Sequence, residues 1–369
     1  MRDNRLEKLA DMLVNYSVQV KAGDRVAIQG STTAAPLIKP VVASVLRAGG
    51  HPYLMTSIPD LEPIFYKYAS QDQLQHVPEP TRYICENYEV VISLLAENNT
   101  RALNNILPEK IVQREKAFKG VRNVFLERAA KGNLRWTVTL FPTEAHAQDA
   151  EMSLDEYEDF VFNACMPDMN DPIGYWKRVS EKQQKIVTWL KGKENIHVVG
   201  PETDLQLSVK GRTFINCDCH VNVPDGEVFT GPVEQSVEGH VCFSYPAIYQ
   251  GREVSGVRLW FEKGKVVKAT AEKNEEFLIK TLNTDDGARY VGEFAIGTNE
   301  GIQQFTREIL FDEKIAGSFH VAMGAGYPET GSLNKSAIHW DMICDLRNGG
   351  EIWADGKCFY RNGQFRLDF

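Results

Sequence analysis

The sequence lacks the features that mark membrane, secreted and nucleic-acid-binding proteins. Its 369 residues contain no apolar run approaching the ~18 residues of a membrane span. Acidic residues outnumber basic ones by 50 to 41, so the net charge of −9 leaves no basic surplus to neutralise phosphates. The N-terminus, MRDNRLEKLADML, has no apolar signal-peptide core. We therefore expect a cytoplasmic protein that binds neither membranes nor nucleic acid.

Motifs for disulfides, structural zinc and nucleotides are also missing. The seven cysteines form no CxxC pair, and Cys217-Asp-Cys219-His220 has no second pair at a spacing that would complete a zinc site. We expect these cysteines to be reduced. The segment IQGSTTAAP has one glycine where a dinucleotide-binding fingerprint needs three, and no Walker sequence is present. A scaffold role is the better interpretation of this segment.

The N-terminal half alternates between strand and helix patterns. The chain is long enough for two domains. A short strand at Arg25–Ile28 is followed by a helical pattern in TTAAPLIKPVVASVLRAGG and by the strand pattern HPYLMTS. A strand, a helix and a strand at this spacing form a βαβ unit, which implies a parallel sheet. We predict an open α/β domain with connecting helices over residues 1–195.

The C-terminal half has a different pattern, with short β segments separated by tight turns. Asp355-Gly356 and Asn362-Gly363 are strong hairpin signals, and the EKGK turn in GREVSGVRLWFEKGKVVKATA predicts another hairpin. We predict a β-rich, metal-binding domain over residues 196–369. The fold class is therefore α/β plus α+β, with an open parallel sheet followed by an antiparallel domain.

Two histidines and an aspartate lie in the stretch SFHVAMGAGYPETGSLNKSAIHWDMICD. The run SAIHWDMI reads as a strand, on which His339 and Asp341 point to the same face with Cα atoms about 7 Å apart. This pair can bind a divalent metal, and His320 can supply a further nitrogen. The alternative is a hydrogen-bonded histidine beside a structural aspartate.

Two glutamates upstream occupy unusual positions. Glu227 follows the turn Pro224-Asp225-Gly226, and Glu293 interrupts the apolar strand pattern of ARYVGEFAIGTN. A buried carboxylate needs a cation or hydrogen bonds. A metal is one answer for Glu293, and an ion pair with Arg289 is the other.

Together these candidate residues supply three carboxylates, from Glu227, Glu293 and Asp341, and two imidazoles, from His320 and His339. This inventory suits two divalent ions, either Zn, Co or Mn, with one carboxylate bridging them. The absence of cysteine from the set argues against a closed structural zinc site.

Four C-terminal motifs carry a family resemblance, and they occur in the order PDGEVFTGP, VGEFAIGTN, FHVAMGAGYPET and IHWDMI. With the opening LADMLVNYSVQVKAGDRVAIQG and the following LRAGGHPYL, they resemble the M29 family of metallo-aminopeptidases, the thermophilic-aminopeptidase or AmpS/PepS-like group. The resemblance covers nearly the whole chain.

The resemblance implies a site and an activity. The family's five metal ligands fall on Glu227, Glu293, His320, His339 and Asp341, and its active-site tyrosine falls on Tyr327. The implied enzyme is a dinuclear metal-dependent aminopeptidase that removes N-terminal residues from short peptides, as a homodimer that encloses its active sites.

The catalytic roles are less defined than the ligands. Tyr327 is expected to donate a hydrogen bond to the developing oxyanion, although packing within its glycine-rich loop is an alternative role. Glu293 or Glu227 is expected to act as general base, with Glu234 as an outside candidate.

Two other functions remain open from the sequence. His320, His339 and Asp341 alone form a two-histidine, one-carboxylate set like that of non-haem Fe(II) ring-cleaving dioxygenases, which resemble this peptidase family in fold. The presence of Glu227 and Glu293 favours the dinuclear hydrolase. The chain could also be a non-catalytic relative.

Overall fold

The computed structural model describes residues 3–367, which divide into two compact units. The first unit runs to Tyr175 and also includes Cys219–Pro224. The second comprises Trp176–Asp218 and the described residues from Asp225 onward. The division predicted from the sequence, at residues 195 and 196, stays a prediction.

The strands of the described residues, in chain order, are β1 Arg25–Ser31, β2 His51–Ser57, β3 Val90–Leu95, β4 Arg135–Leu140, β5 Asn195–Gly200, β6 Thr203–Ser208, β7 Ile215–Cys217, β8 Asn222–Val223, β9 Glu227–Thr230, β10 Glu238–Cys242, β11 Ala247–Tyr249, β12 Arg252–Val254, β13 Arg258–Glu262, β14 Lys265–Thr270, β15 Val291–Gly297, β16 Ser318–Gly324, β17 His339–Asp345, β18 Glu351–Ala354, β19 Lys357–Arg361 and β20 Gln364–Phe365.

The α-helices of the same residues are α1 Asn4–Met12, α2 Ala35–Arg47, α3 Leu61–Tyr68, α4 Gln71–Gln75, α5 Glu79–Asn87, α6 Pro108–Ala130, α7 Glu144–Asp149, α8 Leu154–Cys165, α9 Pro172–Leu190, α10 Glu275–Thr281 and α11 Ile309–Asp312. A π-helical turn at Leu13–Ser17 follows α1. Within residues 3–367, none of these helices is both long and apolar enough to cross a membrane.

The first unit is built on a parallel sheet with the strand order β2-β1-β3-β4-β8. β1 pairs in parallel with both β2 and β3, and α2 provides the crossover from β1 to β2. The apolar strands β1 and β3 bury Ala27 and Val91 against Ile84 of α5. The predicted βαβ unit and open α/β region are therefore confirmed.

The second unit is antiparallel and contains an eight-stranded sheet with the order β14-β13-β10-β6-β5-β18-β19-β20. The predicted hairpins are present at Asp355-Gly356, between β18 and β19, and at Asn362-Gly363, between β19 and β20. The EKGK turn joins β13 to β14. These turns form because Asp355, Asn362 and Lys263 adopt positive φ beside glycines. The predicted β-rich fold is confirmed.

A second sheet of this unit has the order β17-β16-β15-β9-β7. Its side chains share one apolar core with those of the eight-stranded sheet. Helix α9 contributes Ile186 and Leu190 to this core, because its amphipathic pattern presents these side chains on one face. Most of α9 therefore belongs to the second unit.

Replacing Gly297 by alanine is expected to destabilise the second unit. A Cβ atom at the end of β15 would lie 2.3 Å from the Ile315 carbonyl oxygen and 2.9 Å from the Lys314 carbonyl carbon. Relieving this clash requires a backbone shift, so we expect a loss of about 1–3 kcal/mol in the free energy of unfolding. Denaturant unfolding in the presence of chelator measures it.

The control for this substitution is Gly120→Ala in α6, where a Cβ atom would meet nothing within 4 Å. There the helix should gain about 0.5–1 kcal/mol. Equal unfolding midpoints for the two variants would contradict the expected crowding at Gly297.

Candidate metal centre

The predicted site residues lie on one face of the sheet β17-β16-β15-β9-β7. Glu293 of β15 is opposite Ala322 of β16, and Ala322 is opposite Asp341 of β17. Directly paired residues of neighbouring strands project to the same face. Glu293 and Asp341 therefore flank the small side chain of Ala322 in a single row across the sheet.

The remaining members reach the same face through the strand alternation. His320 and His339 each precede a member of that row by two residues on their own strands. Glu227 is paired with Gly297, which lies four residues after Glu293 on β15. The sheet therefore brings together all five predicted ligands: Glu227, Glu293, His320, His339 and Asp341.

The alternate residues of these strands face the apolar core. Phe294, Phe319, Val321, Trp340 and Met342 are all less than 2% exposed and belong to it. Each strand thus alternates a large apolar side chain with a polar or small one. This pattern explains how short, strongly apolar strands can carry ionisable residues on one face without disturbing the core on the other.

The side chains converge at distances longer than hydrogen bonds. His320 Nε2 lies 3.5 Å from Glu227 Oε2 and 3.7 Å from Glu293 Oε1. His339 Nε2 lies 3.4 Å from Glu293 Oε2 and 3.5 Å from Asp341 Oδ1. The two oxygens of Glu293 therefore face different histidines.

Burial and mutual charge shift the titration of this cluster. Burial raises the pKa of Glu227 well above its usual range and raises that of Glu293. Burial opposes the charged form of His320, but the surrounding carboxylates raise its pKa to about 9. The pKa of His339 rises, against burial, to about 10 through Asp341, whose own pKa falls to about 2 beside it.

The whole chain matches a known family. Residues 2–365 fit the family described as thermophilic metalloprotease (M29). The chain belongs to the M29 family. The predicted membership is confirmed, and it makes the protein a metal-dependent hydrolase.

Individual M29 relatives cover the chain almost completely. Aminopeptidase 2 of Geobacillus stearothermophilus is 27% identical over 99% of this chain and 98% of its own length. Aminopeptidase T of Thermus thermophilus is 27% identical over 88% of this chain and 85% of its own. The solved structure of wild-type AmpT from Thermus thermophilus superposes with a TM-score of 0.87 at 25% identity, covering 98% and 99% of the two chains.

A more distant neighbour shares the fold alone. The 2,5-dihydroxypyridine dioxygenase from Pseudomonas putida KT2440 superposes with a TM-score of 0.64 at 14% identity, covering 99% of this chain and 98% of its own. The M29 architecture therefore also occurs in an enzyme with a different name and chemistry.

The donor set fits the divalent metal that the M29 family implies. Among residues 3–367, Glu227 Oε2, Asp341 Oδ1 and both ring nitrogens of His320 are buried without a hydrogen-bond partner. Such orphaned groups are costly unless a cation satisfies them. Ligand atoms about 2.1 Å from a tetrahedral zinc lie roughly 3.4 Å apart, close to the separations of these side chains.

The tautomer of His339 suits metal binding. Its Nδ1 lies 2.8 Å from the Ala325 carbonyl oxygen, to which it donates a hydrogen bond. This contact fixes the proton on Nδ1 in the neutral ring and directs the lone pair of Nε2 towards Glu293 and Asp341.

Tyr327 lies at the edge of the cluster on the loop between β16 and β17. Its ring makes edge-on contacts with the rings of His339 and Phe229, with both centroid distances at 5.4 Å. Tyr327 is 42% exposed, so it is open to solvent as well as in contact with the cluster.

Two further residues considered from the sequence, Arg289 and Glu234, bind other groups. Arg289 donates to the Asn283 side chain and to the Val266 carbonyl oxygen, so the ion pair with Glu293 considered from the sequence was wrong. Glu234 pairs with Arg212 at 2.6 Å and accepts from the Leu333 amide at 2.7 Å. Although partial burial raises the pKa of Glu234, these hydrogen bonds lower it overall.

Sequence reasoning missed Glu313 and Lys314, which precede β16. A carboxylate oxygen of Glu313 lies within 4.8 Å of ligand atoms of His320 and Asp341. The only signal was the charged triplet Asp312-Glu313-Lys314 within the apolar segment ILFDEKIAG. Nothing in its spacing indicates which of these charges faces the cluster.

Zinc binding is expected to release protons from the metal-free protein. Since burial is outweighed by the neighbouring carboxylates and the pKa values of His320 and His339 are about 9 and 10, both rings are cationic at pH 7.5. Each ring must lose one proton to bind a metal, and burial also favours a protonated Glu227. At least two protons should therefore leave, and affinity should rise with pH. Titration calorimetry in buffers of different ionisation enthalpy counts them.

The control is His197→Gln, which removes an exposed histidine paired with Asp204 and should leave this proton count unchanged. A binding enthalpy independent of the buffer would contradict the expected protonation of the two rings.

Proposed function

We propose that this M29 enzyme is an aminopeptidase that releases N-terminal residues from short peptides by means of a dinuclear divalent metal centre. The observation that carries the proposal is the pair of overlapping donor groups around Glu293. The curated relatives named above are aminopeptidases, which supports the exopeptidase activity.

The two donor groups share Glu293, and this overlap supports two ions rather than one. Glu227, Glu293 and His320 form one group, and Glu293, His339 and Asp341 form the other; within each group the ligand atoms lie within 4.8 Å of one another. Because one oxygen of Glu293 faces each histidine, this carboxylate can bridge two ions. Oxygen and imidazole donors suit Zn, Co or Mn.

The protein side chains supply the remaining chemistry. When bound, the metals would acidify a water near neutral pH and polarise the scissile carbonyl. Partial burial, together with the carboxylates of Glu293 and Asp341, raises the pKa of Tyr327 well above its usual range, so its hydroxyl stays protonated. We assign Tyr327 as the hydrogen-bond donor to the oxyanion. Glu293, with Glu227 as alternative, would accept the proton of the attacking water through an oxygen that is not committed to metal.

The acidic character of the cluster suits substrates with a free amine. The free α-amine of a peptide would bind to a metal or to a nearby carboxylate, whereas an N-acetylated end can do neither. The homodimer and the cytoplasmic location remain predictions from the sequence and from the family resemblance.

The ring-cleaving dioxygenase is less favoured. His320, His339 and Asp341 would suffice for a single iron. That assignment leaves the buried carboxylates of Glu227 and Glu293 without a role, although both face the same cluster. Likeness to the dioxygenase structure extends only to the fold.

Metal-reconstituted hydrolysis tests the proposal. Protein stripped with chelator should be inactive and should recover activity with Zn²⁺, Co²⁺ or Mn²⁺ at about two ions per chain. Free dipeptides should be cleaved, and their N-acetylated counterparts should not. Binding of a single Fe²⁺ with oxygen uptake on dihydroxylated rings, and no peptide cleavage, would support the dioxygenase instead.

Tyr327→Phe tests the oxyanion role. We expect kcat to fall about 10²–10³-fold, because the hydrogen bond acts on charge that develops in the transition state. Metal content and KM should change little, and Tyr68→Phe, at a tyrosine 72% exposed in the first unit, should behave like the parent. Unchanged turnover of Tyr327→Phe would restrict this tyrosine to loop packing.

A further inference from the structure

Lys314 is a fully buried cation next to the metal-ligand cluster. Its side chain has no solvent exposure, and its ammonium group contacts the carboxylate of Glu313. A buried lysine is rare unless anions compensate its charge. Asp225 and Glu227, 3% and 5% exposed, are further carboxylates on which this charge acts.

The backbone around Lys314 is tied to the turn that precedes Glu227. The Asn299 amide donates to the Lys314 carbonyl oxygen at 3.1 Å, and the Asn299 side chain donates to the Asp225 carbonyl oxygen at 2.8 Å. The Thr298 amide donates to the Gly226 carbonyl oxygen at 2.8 Å. Segments 225–227, 297–299 and 313–315 are therefore linked by hydrogen bonds.

The same three segments are also packed closely against one another. Gly297 is the pairing partner of Glu227, and the backbone of Lys314 and Ile315 lies against it where a Cβ atom would otherwise be. The backbone of residue 314 is thus held by the fold itself against the strand pair that carries Glu227, and the buried Lys314 side chain exerts its charge on Glu227 and Asp225 from there.

The carboxylates near Lys314 extend into the metal site. Glu227 belongs to the group with Glu293 and His320, and Glu313 lies within 4.8 Å of His320 and Asp341. Without a cation beside them, Glu227 and Glu313 would repel each other and the other buried acids. Lys314 supplies that cation from within the chain.

We propose that Lys314 is a positioning residue for the metal centre: its buried ammonium group holds Glu227 and Glu313 in place, so that the ligand set is assembled before any metal binds. The inference rests on the proposed function, because it assumes that Glu227 is a metal ligand.

Two effects of Lys314 on metal affinity have opposite signs. Its positive charge repels an incoming cation, so charge alone predicts tighter metal binding once the charge is removed. Positioning predicts weaker binding, because the carboxylates lose the group that orients them. The sign of the change therefore separates the two effects.

The experiment compares Lys314→Met with Lys280→Met, which removes an exposed lysine of α10 in the same unit. Full-length protein is stripped with chelator, and Zn²⁺ affinity is measured by titration calorimetry. We expect Lys314→Met to bind Zn²⁺ about 10- to 100-fold more weakly than the parent, as for the loss of other groups that orient metal ligands. Lys280→Met should match the parent.

Cobalt provides a second readout that does not depend on activity. The visible absorption of Co²⁺ reports its coordination, so a displaced Glu227 should change the spectrum of Lys314→Met and leave that of Lys280→Met unaltered. If Lys314→Met does not fold, Lys314→Gln takes its place; its amide is polar but carries no charge to hold the two carboxylates together, so a loss in the same direction is expected.

One result would overturn the positioning role of Lys314, and a different one would overturn the proposed function on which it rests. Parent-like or tighter Zn²⁺ binding by the Lys314 variant, with an unchanged Co²⁺ spectrum, would refute the positioning role and leave the proposed peptidase intact. A parent protein that binds no divalent metal would refute the proposed function itself.

Discussion

The burial of several carboxylates on one face of a sheet is the constraint on which the second unit depends. Taking a charged group out of water is unfavourable unless a cation or several hydrogen bonds replace the lost solvation. Here the compensating charges are two imidazoles and one lysine, and the family adds divalent metal. The opposite face of the same strands carries large apolar side chains in a continuous core, which stabilises a sheet whose polar face would otherwise be unfavourable.

Local periodicity explains the success of the sequence predictions. The two-residue spacing of His339 and Asp341 places both on one face of β17, and their side chains meet at 3.5 Å. The turns at Asp355-Gly356 and Asn362-Gly363 form hairpins because their φ requirements are local. The family motifs assigned all five converging residues.

Features that depend on packing between distant segments could not be predicted in this way. Glu313 and Lys314 reach the cluster because residues 313–315 pack against Gly297, a contact for which the local pattern gives no signal. The pairing of β8 with β4 assigns Cys219–Pro224 to the first unit, between segments of the second. Arg289 was near Glu293 in the sequence, but its partners are Asn283 and Val266.

The position of Ala322 has a consequence for how such a site can change. Its methyl group lies between Glu293 and Asp341 in one row, so the separation of the two acidic residues' Cα atoms is set by the spacing of three adjacent strands. A longer side chain at residue 322 would enter the space that the two acids share. The room available on this face is thus set in part by a residue with no chemistry of its own, and a substitution there would reshape the cluster without loss of any of its five members.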